Sequence, residues 1–184
     1  RVAEAVIARR AALGRPMVLG VSGPQGSGKS TLAAFLEALL QEAGLRVALL
    51  SLDDLYLTRA ERLRLAAAVH PLLATRGVPG THDVELGLRV IERLLTAAPE
   101  DSVALPRFDK SVDDRAPQDR WPVFRGRADV VLFEGWCVGA TPQDAAALAR
   151  PINELERERD PDGLWRAYVN AALEGPYRRL FGLI

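Results

Sequence analysis

Lysine is almost missing from this chain. Of its 24 basic side chains only Lys29 and Lys110 are lysines, and the other 22 are arginines. Acidic side chains also number 24, so the formal net charge is zero and the basic excess of a nucleic-acid binder is absent. A single cysteine, Cys137, leaves no partner for an internal disulfide and fits a reducing, cytoplasmic setting. No apolar run approaches the ~20 residues of a membrane span. The first apolar stretch, Val2 to Leu13, is broken by Glu4, Arg9 and Arg10, so it does not read as a signal peptide. Neither nucleic acid nor membrane is expected as a partner. The sequence says nothing about oligomeric state.

What is present suits one globular α/β domain of 184 residues, without repeats, low-complexity tracts or linkers. Val2 to Leu13 reads as an amphipathic helix stopped by Gly14 and Pro16. Met17 to Val21 reads as a buried strand. The next helix carries Leu32, Phe35, Leu36, Leu39 and Leu40 on one face and stops at Gly44. Arg46 to Ser51 is a second strand, and the strand–helix–strand order predicts parallel pairing. Thr58 and Glu61 form a capping box that starts a helix near Arg59. Asp83 caps a helix over Val84 to Leu95. Val103 to Leu105 is expected as a short strand, 106–128 as irregular, and Val130 to Phe133 as a third clear strand. Thr141 and Pro142 predict a helix over 142–149. Asn153 to Asp160 reads as a solvated helix or loop, Asp162 to Leu173 as a helix, and Leu180 to Ile184 as a strand.

Residues 23–30 match G-x-x-x-x-G-K-S/T without deviation, between a strand and a helix. Glycines let backbone N–H groups turn toward an anion, and the helix start adds its positive end. Gly23, Gln25, Gly26, Ser27, Gly28, Lys29, Ser30 and Thr31 are the nucleotide-binding candidates. Lys29 can reach the β- and γ-phosphates, and the Ser30 hydroxyl can ligate Mg²⁺. A dinucleotide fingerprint fails here, because position 31 is Thr where it needs Gly.

Ligands of open parallel sheets bind at the carboxyl ends of the strands. One strand runs into Asp53, Asp54 and Tyr56, another into Glu134, and a third into Arg107, Asp109 and Lys110. Phosphoryl transfer needs a carboxylate to accept the proton of the attacking hydroxyl, and Asp53 is the candidate. Glu134 is the candidate for a second carboxylate near Mg²⁺. The alternatives are a turn or cap role for Asp53, an ordinary loop acid at Glu134 and an exposed turn at Asp54.

Five segments stand in order along the chain: GPQGSGKST, SLDDLYLT, HPLLATRGVPGTHD, LPRFDKSVDDRAP and VVLFEGWCVG. Together they resemble the glycerate kinase family of P-loop kinases, in its plant-type and yeast-type branch. That branch is similar to pantothenate kinase, uridine kinase and phosphoribulokinase. The resemblance covers about residues 17 to 184, and RGVPGTHD and PRFDKS-x-DDR are its most specific parts. It implies a P-loop NTPase fold, a mainly parallel sheet with helices on both faces. It also implies transfer of the γ-phosphate of ATP, with Mg²⁺, to a hydroxyl of D-glycerate.

By the resemblance Lys29 and Asp53 are catalytic, and Ser30, Asp53 and Glu134 form the metal set. Asp54, Tyr56, Arg76, His82, Asp83, Arg107, Asp109 and Lys110 fall on the substrate side. Each has a structural alternative: packing for Tyr56, an N-cap for Asp83, surface positions for Arg76 and Arg107. His82 is alternatively a loop histidine bonded to backbone, and Asp109 with Lys110 an exposed salt pair. The resemblance further implies a lid and adenine-side segment beyond Leu180, so residues 1–184 are expected as a single kinase domain lacking it. Two other readings stay open: a kinase for another small hydroxyl compound, and a regulatory nucleotide-binding module. Both lysines fall in segments assigned to the site.

Overall fold

The computed structural model describes residues 1–184. The first elements form where the sequence predicts them: α1 (Val2–Leu13), β1 (Met17–Ser22), α2 (Lys29–Glu42) and β2 (Val47–Ser51), then a 3₁₀ turn over Leu52–Leu55. Next come α3 (Arg59–Ala68) and α4 (Val84–Thr96). Four short strands follow, β3 (Ser102–Ala104), β4 (Phe108–Asp109), β5 (Asp114–Arg115) and β6 (Val123–Arg125), before β7 (Val130–Gly135). The chain closes with α5 (Ala145–Leu148), α6 (Glu154–Arg159), α7 (Leu164–Ala172) and α8 (Arg178–Phe181).

The main sheet is parallel, in the order β1–β7–β2. β1 and β2 are therefore parallel but not neighbours, because β7 inserts between them. All six residues of β7 are buried, as expected for a strand covered on both faces. Its side chains alternate. Val131 and Phe133 join Val18, Leu50 and the α4 residues Leu88, Ile91 and Leu94 in one core. Val130 and Leu132 meet Val6 of α1 and Leu36 and Leu40 of α2 in another. Helices thus cover both faces. Both predicted caps form: Thr58 and Glu61 make the reciprocal box, and Asp83 accepts from the Leu86 N–H. No helix is long and apolar enough to cross a membrane.

Besides the predicted pairing of β1 with β2, which β7 interrupts, five expectations need correction. The strand near Val103 does not join the parallel sheet; it pairs antiparallel with β6, inside the stretch read as irregular. Three residues are too few for periodicity to tell a central strand from a two-stranded ribbon. Leu180 to Ile184 is not a strand: Tyr177 and Leu180 continue the buried stripe of α7 through a π-type turn into α8. The helix expected over 142–149 shrinks to α5, preceded by Asp144 rather than Thr141. On α2 the apolar stripe splits, with Leu36 and Leu40 buried while Leu32 and Phe35 lie open to solvent. The charged 153–160 stretch is a capped helix, and its Glu156 and Asp160 are buried against Asn153 and Arg166.

One close approach fixes the end of the sheet that faces the site. A Cβ on Gly135 would come within 2.6 Å of Leu52 Cβ, so only glycine lets the 3₁₀ turn press onto the end of β7. We expect Gly135→Ala to destabilise the fold by about 1–3 kcal/mol, as overpacking does. Urea denaturation should register this as a lower midpoint with an unchanged slope.

Candidate active site

The loop after β1 turns on Gly26 and Gly28, whose φ values of 77° and 81° lie in the left-handed region. Gly28 is also the residue from which α2 starts, so the loop ends at a helix N-terminus. Lys29 and Ser30 form the first turn of that helix.

Glu134 stands on β7 with Val21 of β1 and Ser51 of β2 as its register partners. Its Oε1 accepts from the Ser30 hydroxyl at 3.1 Å and from the Ser51 hydroxyl at 2.8 Å. Its Oε2 is buried without a hydrogen-bond partner. A buried carboxylate oxygen with an open lone pair, beside a hydroxyl on a phosphate-type loop, suits a hard divalent cation. Ser51 also receives the Asp53 N–H at 3.3 Å and so ties the 3₁₀ turn to the same carboxylate. Sequence reasoning missed Ser51. Its position opposite Glu134 could be read only once β7 was known to lie next to β2.

Both Asp53 oxygens are engaged. Lys110 Nζ donates to Oδ2 at 2.8 Å, and the Tyr56 hydroxyl donates to Oδ1 at 3.1 Å. Burial pushes the Asp53 carboxyl up, but the Lys110 ammonium and the Tyr56 hydroxyl outweigh it and hold it below the ordinary carboxylate value. Lys110 therefore pairs with Asp53 and not with Asp109. Asp109 instead takes the N–H and hydroxyl of Ser111 in a local turn.

Asp54 does other work. It accepts from the Arg107 guanidinium at 2.7 Å and from the Phe108 N–H at 3.0 Å. These bonds dock the β4–β5 ribbon on the 3₁₀ turn, which is how Lys110 reaches Asp53 although β3 is not in the main sheet. Burial raises the Asp54 carboxyl, an effect that Phe108 and Arg107 only partly offset. Asp83 caps α4 and also pairs with Arg115 at 3.1 Å.

Beside Asp53 opens a polar cleft of about 480 Å³, with Gln25, Tyr56, Arg59, Arg76, Lys110 and Asp113 in its wall. Arg62 in the same wall is fully buried, and its guanidinium donates to the Leu57, Ala74 and Asp113 carbonyl oxygens. Arg62 and Arg76 both pair with the Asp113 carboxylate. Burial pushes Asp113 up, but these two guanidiniums prevail and keep its pKa low. Arg59, Arg62 and Asp113 were not singled out in the sequence. Among 22 arginines nothing marks two of them, although Arg62 lies one turn after the Thr58 cap.

His82 is buried under Tyr56, with ring centroids 4.3 Å apart and planes 21° from parallel. Its Nδ1 meets the Tyr177 hydroxyl at 2.5 Å, and its Nε2 has no partner. Burial draws its pKa down from 6.5 to about 3, against a small opposing pull from Asp53. Trp136 bridges two loops: its indole donates to the Gly77 carbonyl, and its own carbonyl accepts from the Ser22 hydroxyl. Cys137 is buried and its thiol is pushed up to about 12, which keeps it protonated and chemically quiet.

The neutral His82 makes stability pH-dependent. The unfolded chain takes up a proton near pH 6.5 and the folded chain only near 3, so stability rises with pH across that window. We expect stability to be full above pH 6.5 and to fall by up to about 1.4 kcal/mol per pH unit below it. Asp53 and Asp113 titrate only below their ordinary value of 3.8, whereas burial raises Asp54 and Glu37 and gives them a dependence of the opposite sign, so the His82 share is the difference between wild type and His82→Gln. Urea denaturation between about pH 7 and 5 checks this, with a flatter dependence in His82→Gln.

Residues 2–56, which hold the phosphate-type loop, match the family described as "Methylmalonyl Co-A mutase-associated GTPase MeaB". Longer matches come from kinases. The chain is 42% identical over 143 residues to the "Uncharacterized kinase mug58" of Schizosaccharomyces pombe, a match spanning 74% of this chain and 51% of that protein. It is 38% identical over 149 residues to the chloroplastic D-glycerate 3-kinase of Arabidopsis thaliana, spanning 77% of this chain and 32% of that protein. The chain thus spans about half or less of these relatives' length. A solved D-glycerate 3-kinase from Cryptococcus neoformans superposes on 97% of this chain and 68% of its own, with a TM-score of 0.77 and 30% identity. With that extent of shared fold and sequence, the chain belongs to the glycerate kinase family of P-loop kinases.

Proposed function

We propose that this chain carries the phosphoryl-transfer site of an ATP- and Mg²⁺-dependent small-molecule kinase whose acceptor is D-glycerate. The observation that carries the reading is Asp53, a charged carboxylate on the rim of a polar, arginine-lined cleft. It is linked through Ser51 to the Glu134 carboxylate beside the phosphate-type loop. The family relatives named D-glycerate 3-kinase support the choice of acceptor.

On this reading Gly23, Gln25, Gly26, Ser27, Gly28, Lys29, Ser30 and Thr31 hold the nucleotide phosphates. Ser30 and Glu134, with Asp53 nearby, hold Mg²⁺. When bound, the cation offsets charge on the phosphate oxygens and helps orient them. Lys29 adds a mobile point charge on the transferring group. Asp53 accepts the proton of the acceptor hydroxyl as its oxygen bonds to the γ-phosphorus and the bond to ADP breaks. A carboxylate held charged by Lys110 is a weak base. That suffices, because phosphoryl transfer is loose and puts little charge on the attacking oxygen.

Arg59, Arg76 and Lys110 give the cleft its cationic wall, suited to the carboxylate of D-glycerate. Tyr56 and His82 line or support the acceptor side. Asp54, Asp83 and Arg107 act by docking the ribbon and α4. Asp109 stays in its local turn.

The test is a panel of D-glycerate, pantothenate and nucleosides, assayed with ATP and Mg²⁺ on the full-length protein. Glycerate should be turned over. Asp53→Asn should lower kcat by about 10²–10⁴-fold and Lys29→Ala by about 10²-fold or more. Lys110→Arg should cost about tenfold, more than a surface swap, because a guanidinium does not fit a point-charge contact. ATP hydrolysis equal in wild type and Asp53→Asn, with no acceptor phosphorylated, would instead favour a regulatory nucleotide-binding module.

A further inference from the structure

Tyr177 reaches the site from far along the chain. It ends a wide, π-type turn, Leu173–Tyr177, that contains Pro176 and joins α7 to α8. Turns of this kind are frequent at functional sites. The side chain is fully buried. Its hydroxyl meets two groups: the Gly80 N–H donates to it at 3.0 Å, and His82 Nδ1 lies 2.5 Å away.

The hydrogen-bond inventory selects one tautomer of His82. With the imidazole proton on Nε2, Tyr177 accepts from Gly80 and donates its O–H to Nδ1, and only the Nε2–H is left unpaired. With the proton on Nδ1, that N–H donates to the phenol oxygen. The phenol proton then has no acceptor, and Nε2 has no donor. One buried orphan is less costly than two. The neutral ring follows from its burial, since an imidazolium there would be desolvated and unpaired at Nε2.

The ring held in this way is the floor on which Tyr56 rests. Backbone bridge pairing brings Tyr56 and His82 side by side, and the two rings stack in parallel. Phe108 also packs edge-on against Tyr56 at 5.4 Å. Packed in this way, the Tyr56 phenol donates to Asp53 Oδ1. We propose that Tyr177 is a positioning residue: its hydroxyl locks His82 as the Nε2–H tautomer, and the locked ring holds Tyr56 on Asp53. The role assigned to Asp53 rests on the kinase reading; the lock itself does not. Loss of the Tyr177 hydroxyl frees the imidazole to flip and exchange its proton, and Asp53 loses the fixed orientation of one oxygen. Such a loss falls on kcat more than on acceptor binding, because it mis-aims a reacting group without removing a cleft contact.

The test begins with the unaltered protein. Residues 1–184 hold two histidines, His70 and His82, so their ring nitrogens are assignable by ¹H–¹⁵N NMR. His70 serves as an internal reference, because its Nδ1 accepts from the Leu72 N–H. At neutral pH His82 should be protonated at Nε2 and bare at Nδ1. A proton on Nδ1 overturns the proposal without any variant. In Tyr177→Phe, with folding checked by thermal melting, the ring should become a tautomer mixture and the Tyr56 ring carbons should shift. An unchanged tautomer with unmoved Tyr56 resonances also overturns it. In the kinase assay, kcat should fall by about tenfold or more while the acceptor KM changes by less than about threefold. A kcat within about twofold of wild type would contradict positioning. Absence of turnover by the wild type would count against the kinase reading, and the NMR result would still decide the lock.

Discussion

The site depends on one carboxylate oxygen. Glu134 Oε1 accepts from Ser30 at the start of α2 and from Ser51 at the end of β2, and its own backbone lies on the strand between β1 and β2. A buried carboxylate is costly unless it is hydrogen-bonded, and here two hydroxyls from two neighbouring elements meet that need. The same bonds hold the phosphate-type loop at a fixed distance from the turn that carries Asp53. The other oxygen, Oε2, is buried and unpaired, so the arrangement is complete as a scaffold and open as a ligand. The order β1–β7–β2 makes this possible, because only a central strand can reach both neighbours at once.

Around that junction the charges are divided by task. Asp53 is the carboxylate whose partners lie at the cleft, one a cation and one a phenol. Asp54, one residue later, is spent on holding the β4–β5 ribbon through Arg107 and the Phe108 backbone. Asp113 holds two guanidiniums, Arg62 and Arg76, at the cleft wall. Behind the charged surface Tyr56, His82 and Tyr177 make a neutral, aromatic backing. Adjacent acids in one sequence segment thus do different things because the chain turns between them.

Much of this was legible before the fold was known, and the reasons are local. The phosphate-type loop, the Thr58–Glu61 box, the Asp83 cap and the β7 strand rest on short-range chemistry that a linear reading captures. Asp53 and Glu134 stand out as candidates by the rule that ligands gather at strand ends. What stayed hidden were partners set by topology. Ser51 is an ordinary strand residue until Glu134 is known to lie opposite it. Tyr177 lay just before a stretch read as a strand, yet it belongs to a helix that continues through an irregular turn. Lys110 meets Asp53 by a route that the strand-end rule does not describe. Its strand is not in the main sheet, and it arrives by way of Asp54.

The most direct test of this account is calorimetric titration of a non-hydrolysable ATP analogue, with and without Mg²⁺, into the wild type and Glu134→Gln. The account predicts that Mg²⁺ tightens binding to the wild type by about tenfold or more and that Glu134→Gln loses that gain. Affinity without the metal should be nearly the same in both proteins. Equal tightening by Mg²⁺ in the two would contradict the claim that the Glu134 carboxylate links the phosphate loop to the cation and to the acceptor side.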